Sequence, residues 1–243
     1  GSEMCIRDRI RPNYYLAYRN RALIYEDDLK DYEKAEADYT KAIELDPENG
    51  ENYYYRGLFY LWTLEDYEKA ISDFTSAIDL DPDDAYNYFY RGDAYRKNEQ
   101  YNDALSSYLK AEELDKDKSL AKSKSLYNNM AVNFSNLGQL DKELEYYTKE
   151  IEINPNYYLA YRNRAQKYAY DLKDYEKAEA DYTKAIELDP ENDISYIRRG
   201  YFYRYYLGDY QKAIADYTKA IDLAPNAKNF YNRAEFRYDL ENY

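Results

Sequence analysis

A stretch of 37 residues occurs twice in this chain, and the duplication limits what the chain can fold into. Residues 13–49 read NYYLAYRNRALIYEDDLKDYEKAEADYTKAIELDPEN, and residues 156–192 repeat them with substitutions at only four positions, 23, 24, 26 and 27 of the first copy. Looser copies lie between and after these two. Self-similarity of this length is typical of proteins built from stacked supersecondary units. The chain is therefore predicted to be an array.

Each unit has the pattern of two amphipathic helices. In the first helix of the first unit, Tyr18, Ala22 and Tyr25 recur at helical spacing. The second helix carries one apolar face, formed by Tyr32, Ala35, Tyr39, Ala42 and Leu45. A proline, or once a lysine, follows the second helix of every unit: Pro47, Pro82, Lys116, Pro155, Pro190 and Pro225. Proline disfavours helical geometry in the residue before it, so these positions mark the ends of the units.

The spacing of these ends gives six helix pairs and a half-unit within a single array, residues 13–243. The approximate limits are 14–48, 49–83, 84–117, 118–156, 157–191, 192–226 and, for the half-unit, 227–243. Residues 1–12 are expected to be a tag or linker remnant followed by the end of a truncated repeat.

Small and aromatic residues alternate along the units in a fixed order. Two examples are Tyr18-Ala22-Tyr25-Ala35-Tyr39-Ala42-Pro47 and Tyr196-Gly200-Tyr203-Ala213-Tyr217-Ala220-Pro225. Glycine or alanine lets two helix backbones approach closely, and the aromatic ring fills the space opposite. The pattern resembles that of the tetratricopeptide repeat. This resemblance implies an all-α fold, a right-handed α-solenoid (superhelix) of stacked antiparallel helix pairs.

Several units depart from this pattern. The 35-residue units carry one extra residue, which predicts a slightly longer turn between their two helices. The fourth unit has about five extra residues within 115–125, which predicts a longer first helix and a widened joint, with a regulated hinge as the alternative. Glu143 and Glu150 replace its two close-packing alanines. Because a buried carboxylate is costly without a partner, we expect loose packing there or pairing with a nearby lysine.

An arginine precedes the small residue of most first helices, and an aspartate recurs in the second helix of the same units. The arginines are Arg21, Arg56, Arg91, Arg164 and Arg199, and the aspartates are Asp38, Asp73, Asp181 and Asp216. They are predicted to form bidentate, partly buried structural bridges. The alternative is that the arginines bind a ligand.

Composition argues against several functions. The chain has no histidine and only Cys5 as a thiol, so neither His-based catalysis nor a Cys/His metal site is expected, and we predict no enzyme, no metal and no cofactor. A net charge of −14 argues against nucleic acid or an anionic membrane as the main partner. Acidic groups such as Asp83-Asp84 lie at turns and helix ends, and are interpreted as solvated charge.

The family resemblance implies a ligand groove formed by successive first helices. The residues predicted to line it are Arg19, Asn20, Tyr54, Tyr55, Leu58, Phe89, Tyr90, Asn128, Asn129, Arg162, Asn163, Ile197, Arg198 and Tyr201. The carboxylate clamp of chaperone-binding members is absent, since Tyr55 stands where that motif needs asparagine. An asparagine ladder that grips peptide backbone is present in part, at Asn20, Asn129, Asn163 and Asn232, although asparagines that merely solvate the groove wall remain an alternative.

These patterns predict a non-catalytic scaffold that binds a peptide segment of a partner protein in its concave groove. Because tyrosine and arginine are favoured in binding hot spots, an acidic or aromatic segment is the expected ligand. The alternative is a self-associating structural protein, a homo-oligomer that stacks through its terminal repeats around Tyr18 and Tyr25 at one end and Phe236 and Tyr238 at the other.

Overall fold

The computed structural model describes residues 14–225 of the 243, and within that range the chain is helical without a strand, as predicted. The α-helices are α1 (Tyr15–Asp27), α2 (Tyr32–Leu45), α3 (Gly50–Phe59), α4 (Tyr67–Leu80), α5 (Ala85–Lys97), α6 (Tyr101–Leu114), α7 (Ser119–Lys124), α8 (Leu126–Asn136), α9 (Leu140–Ile153), α10 (Tyr158–Lys167), α11 (Tyr175–Leu188), α12 (Asp193–Phe202) and α13 (Tyr210–Leu223). The expected linker remnant at 1–12 and the half-unit at 227–243 lie outside the described residues.

The chain divides into two compact parts, here called the N-terminal half (Gly1–Leu126) and the C-terminal half (Tyr127–Tyr243). In the N-terminal half, α1 packs on α2, α3 on α4 and α5 on α6, and each pair contacts the next. In the C-terminal half, α10 packs on α11 and α12 on α13, again with contacts between successive pairs. This is the stacked-pair architecture of an α-solenoid, within each half. The continuity of all repeats in a single array stays a prediction.

Close helix crossings form the core of each pair. The alanines at the crossing, such as Ala35 and Ala178, are completely buried. A Cβ atom added at Gly57 would lie 3.0 Å from the ring of Phe74, and one added at Gly200 would lie 3.1 Å from the ring of Tyr217. The predicted pairing of a small residue with an aromatic ring across the crossing is confirmed.

The extra residue of the 35-residue units does not lengthen the turn, and that prediction was wrong. It is absorbed in a π-helical turn that continues the first helix, at Tyr60–Leu64, Tyr168–Leu172 and Tyr203–Leu207. Each π turn ends on a residue in the left-handed region, as at Glu65 with φ 54°. The wider ring keeps the extra residue hydrogen-bonded within the helix instead of exposing it in a loop.

The insertion in the fourth unit also differs from the expectation of a longer first helix. Residues 119–124 form the separate short helix α7, and the backbone breaks at Ser125, where φ is 53°. The buried carboxylate of Asp115 accepts hydrogen bonds from the backbone N–H groups of Leu120 and Ala121, at 3.0 and 2.8 Å. These bonds satisfy two N–H groups in the first turn of α7, which have no partner within the helix, so a new helix starts there and the old one is not extended. The widened joint and the hinge stay predictions.

Candidate functional site

The repeated arginines form the predicted structural bridges. Arg56 donates two hydrogen bonds to Asp73, both of 2.8 Å, and a third of 3.1 Å to Thr40 in the preceding helix pair. The equivalent bidentate pairs are Arg21–Asp38, Arg164–Asp181 and Arg199–Asp216. Arg91 bonds Ser107 instead, at 3.2 Å. Since their partners occupy these guanidinium groups, we do not assign them to a ligand site.

In the N-terminal half, some of the predicted groove residues are accessible and others are buried. Asn20 is exposed, and Tyr54, Tyr55 and Leu58 are half-buried. Arg19 is buried, and donates a 2.8 Å hydrogen bond to Glu51.

Two other predicted groove residues of the N-terminal half belong to the packed interior. Phe89 is 2% exposed and Tyr90 is also buried. The ring of Phe89 lies 5.0 Å from that of Tyr90 and 6.1 Å from that of Tyr108, so it fills the space between helices. The expectation that Phe89 and Tyr90 present their side chains to a ligand is corrected accordingly.

In the C-terminal half, two asparagines of the predicted groove form a hydrogen bond with each other. The side chain of Asn163 donates to that of Asn128 at 3.3 Å, and Asn128 is itself buried. Asn129 and Ile197 are half-buried, whereas Tyr201 is exposed. The peptide-gripping ladder stays a prediction, and its member Asn232 lies outside the described residues.

Arg162 and Arg198 differ from every bridged arginine. Neither has a carboxylate within ion-pair distance among residues 14–225. The Arg162 guanidinium lies 5.8 Å from the centre of the Tyr158 ring. Burial lowers the pKa of Arg162, and the positive charge of Arg198 lowers it further. The charge of Arg198, whose side chain is exposed, thus acts on Arg162, and neither guanidinium group has a carboxylate beside it within that range of the chain to offset its charge.

Of the two buried glutamates of the fourth unit, Glu143 pairs with a lysine, as one of the two expectations had it, and Glu150 is bonded by asparagines. Lys167 Nζ lies 3.3 Å from Glu143 Oε2, and Glu150 accepts hydrogen bonds from the Asn128 backbone and the Asn154 side chain. Burial raises the pKa of Glu143, and the charge of Lys167 opposes that shift. A pocket of about 170 Å³ adjoins the pair, between Glu143, Asn163 and Gln166.

A larger open pocket in the N-terminal half was not predicted. It measures about 580 Å³ and lies where the ends of α2 and α4 meet the starts of α3 and α5. Its lining comprises Asp46, Glu48, Asn49, Gly50, Glu51, Tyr54, Tyr55, Leu80, Asp81, Asp84, Tyr86 and Asn87. Asp84, which was interpreted as solvated charge together with Asp83, is half-buried there, whereas Asp83 is exposed. The turn sequence alone gave no sign of the pocket, because its residues come from three successive helix pairs.

Neither a metal-binding cluster nor a membrane-spanning helix is found in the described part of the chain. No group of three or more histidine, cysteine, aspartate or glutamate residues there is arranged to hold a metal ion. None of the helices between residues 14 and 225 has the length and apolar character needed to span a membrane.

Paired antiparallel helices, small-residue crossings and regularly spaced Arg–Asp bridges define a helical repeat protein. Family models of the tetratricopeptide repeat match residues 24–85, 60–119 and 167–228, and a second model of the same repeat matches residues 125–157. The chain belongs to the tetratricopeptide repeat family.

Solved structures show the same fold. PilF of Pseudomonas aeruginosa is 18% identical with a TM-score of 0.72, over 93% of this chain and 97% of that one. PilW, described as a widely conserved type IV pilus biogenesis factor, is 18% identical with a TM-score of 0.73, over 88% and 96%. YrrB, described as a TPR protein with an unusual peptide-binding site, is 23% identical with a TM-score of 0.59, over 81% and 97%. Comparison with curated proteins gives no significant match.

Proposed function

We propose that this protein is a non-catalytic scaffold that binds an acidic peptide segment of a partner protein on the face formed by its first helices. Proteins of this family serve generally as protein-interaction scaffolds, and the solved YrrB structure is described as having a peptide-binding site. Repeat stacks suit this role because the surface is formed before the ligand arrives, so that mainly the ligand loses conformational entropy on binding.

The two arginines of the C-terminal half that lack a carboxylate, Arg162 and Arg198, are the observation that carries the proposal. Arg162 and Arg198 are both on first helices, α10 and α12, and lie among tyrosines such as Tyr158. An anion that binds both guanidinium groups offsets their mutual repulsion, which water screens in part because Arg198 is exposed. A glutamate or aspartate side chain can accept bidentate hydrogen bonds from either arginine, while a neighbouring apolar or aromatic residue packs on the rings.

Binding of a fluorescein-labelled acidic peptide, followed by fluorescence anisotropy, tests the proposal. Arg162→Ala and Arg198→Ala are each expected to weaken binding about tenfold, since a hydrogen bond to a charged group contributes about 1.5–3 kcal/mol. Lys219→Ala is the control, because it removes one positive charge from the exposed surface of α13. A double arginine variant that stays folded and binds as tightly as the wild type would refute the proposal.

Self-association through terminal repeats stays a prediction. At the first described helix, Ile24 is 50% exposed, although Phe59 and Phe202 in the same slot of later units are buried. Phe236 and Tyr238, the other expected contact, lie outside the described residues. Light scattering over a concentration series tests this alternative, since a concentration-dependent increase in mass supports it and a constant monomer mass refutes it.

A further inference from the structure

We propose that the acidic pocket of the N-terminal half binds a cationic side chain, arginine or lysine, of a partner protein. This site is separate from the arginine pair, since every residue that lines it belongs to the N-terminal half, and its charge is opposite. It therefore adds a second recognition element to the proposed scaffold and does not depend on the first.

The charge of the pocket is negative throughout. Its carboxylates are Asp46, Glu48, Glu51, Asp81 and Asp84, and no lysine or arginine is among the lining residues. Within residues 14–225, Glu51 alone among these carboxylates has a cationic partner, Arg19. Burial raises the pKa of Asp84, and the charge of Asp81 raises it further, against a hydrogen bond from the Tyr86 backbone. The pocket therefore gains most from a ligand that brings positive charge.

Asn87 is the second, independent feature of the pocket. Its side chain lines the pocket, is 3% exposed, and holds a carbonyl oxygen with no hydrogen-bond donor. Buried polar atoms in folded proteins normally have a partner. If the Asn87 side chain turns toward the pocket on binding, an N–H group of a guanidinium or ammonium ion there supplies the donor that this oxygen lacks.

The tyrosines give the pocket its preference for an organic cation. Tyr54, Tyr55 and Tyr86 contribute to the lining, and the ring of Tyr55 already lies 4.5 Å from the guanidinium carbon of Arg19. An aromatic face attracts a cation electrostatically, and most strongly where water is excluded. A cavity of about 580 Å³ has room for a long basic side chain and for part of the peptide backbone that carries it.

The duplicated sequence provides an internal comparison. The loop IELDPEN occurs at 43–49 and again at 186–192, so Glu191 in the second copy corresponds to Glu48 in the first. Seven residues after these glutamates the first copy has Tyr55, whereas the second has Arg198. An arginine at that position would place a positive charge where the first copy offers an aromatic ring. The second copy therefore keeps the acidic loop without the cation site.

An NMR titration of the ¹⁵N-labelled full chain tests the proposal. The probes are three short peptides of otherwise Gly-Ser sequence that carry a single arginine, lysine or citrulline, and free spermidine serves as a fourth. The arginine and lysine peptides are expected to shift the amide signals of Glu51 and Tyr86 saturably. Citrulline, which has the shape of arginine without its charge, is expected to bind at least tenfold more weakly. Equal binding of citrulline, or preferential binding of spermidine over both peptides, would overturn the proposal.

Matched variants locate the effect. Glu48→Gln combined with Asp84→Asn is expected to weaken arginine-peptide binding at least tenfold, while the asparagine still caps α5. Glu191→Gln, which removes the equivalent charge from the second copy, should leave binding unchanged, as should Lys219→Ala on the exposed surface of α13. Tyr55→Arg introduces the residue of the second copy and should abolish binding. If the first double variant binds the arginine peptide like the wild type, the site is not where we place it, whatever the outcome for acidic peptides.

Discussion

At the scale of single residues, the two copies of the duplicated sequence show how one substitution changes the role of a distant side chain. Tyr39 and Tyr182 occupy the same slot, and both are fully buried. The hydroxyl of Tyr39 donates a 2.8 Å hydrogen bond to Glu26. Ala169 replaces this glutamate in the second copy, and the hydroxyl of Tyr182 has no partner at normal hydrogen-bond distance among residues 14–225, although the Tyr170 side chain is close by. The same tyrosine therefore stabilises one copy more than the other.

Removing these two hydroxyls should give opposite results. Tyr39→Phe is expected to destabilise the protein by about 1 kcal/mol or more, because it breaks a hydrogen bond to a partly buried carboxylate. Tyr182→Phe should be neutral or slightly stabilising, because it removes a buried polar atom that has no partner. Urea unfolding midpoints measure the difference. Equal midpoints for the two variants would show that the Tyr182 hydroxyl has a partner in solution.

At the scale of the helices, the substitutions between the copies adapt the repeated element to its neighbours. Lys167 in α10 stands where the first copy has Ile24, and it pairs with Glu143 of α9. Tyr170 replaces Asp27, and its ring stacks on that of Tyr206 at 5.0 Å. These two substitutions adapt the copied element to the helix pairs beside it, while the Glu26-to-Ala169 change removes a hydrogen bond inside the element itself.

The Glu143–Lys167 pair can be tested by a double-mutant cycle. Lys167→Ile alone is expected to cost about 3–5 kcal/mol at neutral pH, because it leaves a buried carboxylate unpaired. Combined with Glu143→Ala it restores the repeat pattern, and the double variant should equal or exceed wild-type stability. Urea unfolding of the two single variants and the double variant measures the coupling.

The pH dependence of the single variant has a defined sign. Burial raises the pKa of Glu143 above its ordinary value, and loss of Lys167 removes a charge that opposes this shift. The folded state then holds the Glu143 proton more tightly than the unfolded state does. Destabilisation by Lys167→Ile should therefore grow as pH rises through the folded pKa and shrink as pH falls toward the ordinary glutamate value. A pH-independent effect would contradict the burial of an unpaired charge.

At the scale of the whole molecule, sequence periodicity predicted what depends on neighbours along one repeat. The Arg56–Asp73 bridge and the Gly57–Phe74 crossing follow from fixed offsets, because both partners lie in one helix pair. Features built from several pairs were not predicted. The pocket beside Asp84 needs side chains from three pairs, and Phe89 is buried because neighbouring rings surround it. The π turns were not predicted either, because backbone geometry determines where the extra residue is accommodated. No residue type at a fixed position in the repeat indicates it.

Because each repeat contacts only its neighbours, damage to one pair should stay local in this molecule. Arg56 joins Asp73 in its own helix pair to Thr40 in the preceding one. Asp73→Ala leaves this guanidinium, whose side chain is only 18% exposed, without its carboxylate. Amide hydrogen exchange is therefore expected to accelerate in α2, α3 and α4, and to stay at the wild-type rate in α11 to α13. Uniform acceleration across all helices would mean that the repeats unfold as one cooperative body, and that nearest-neighbour contacts do not govern its stability.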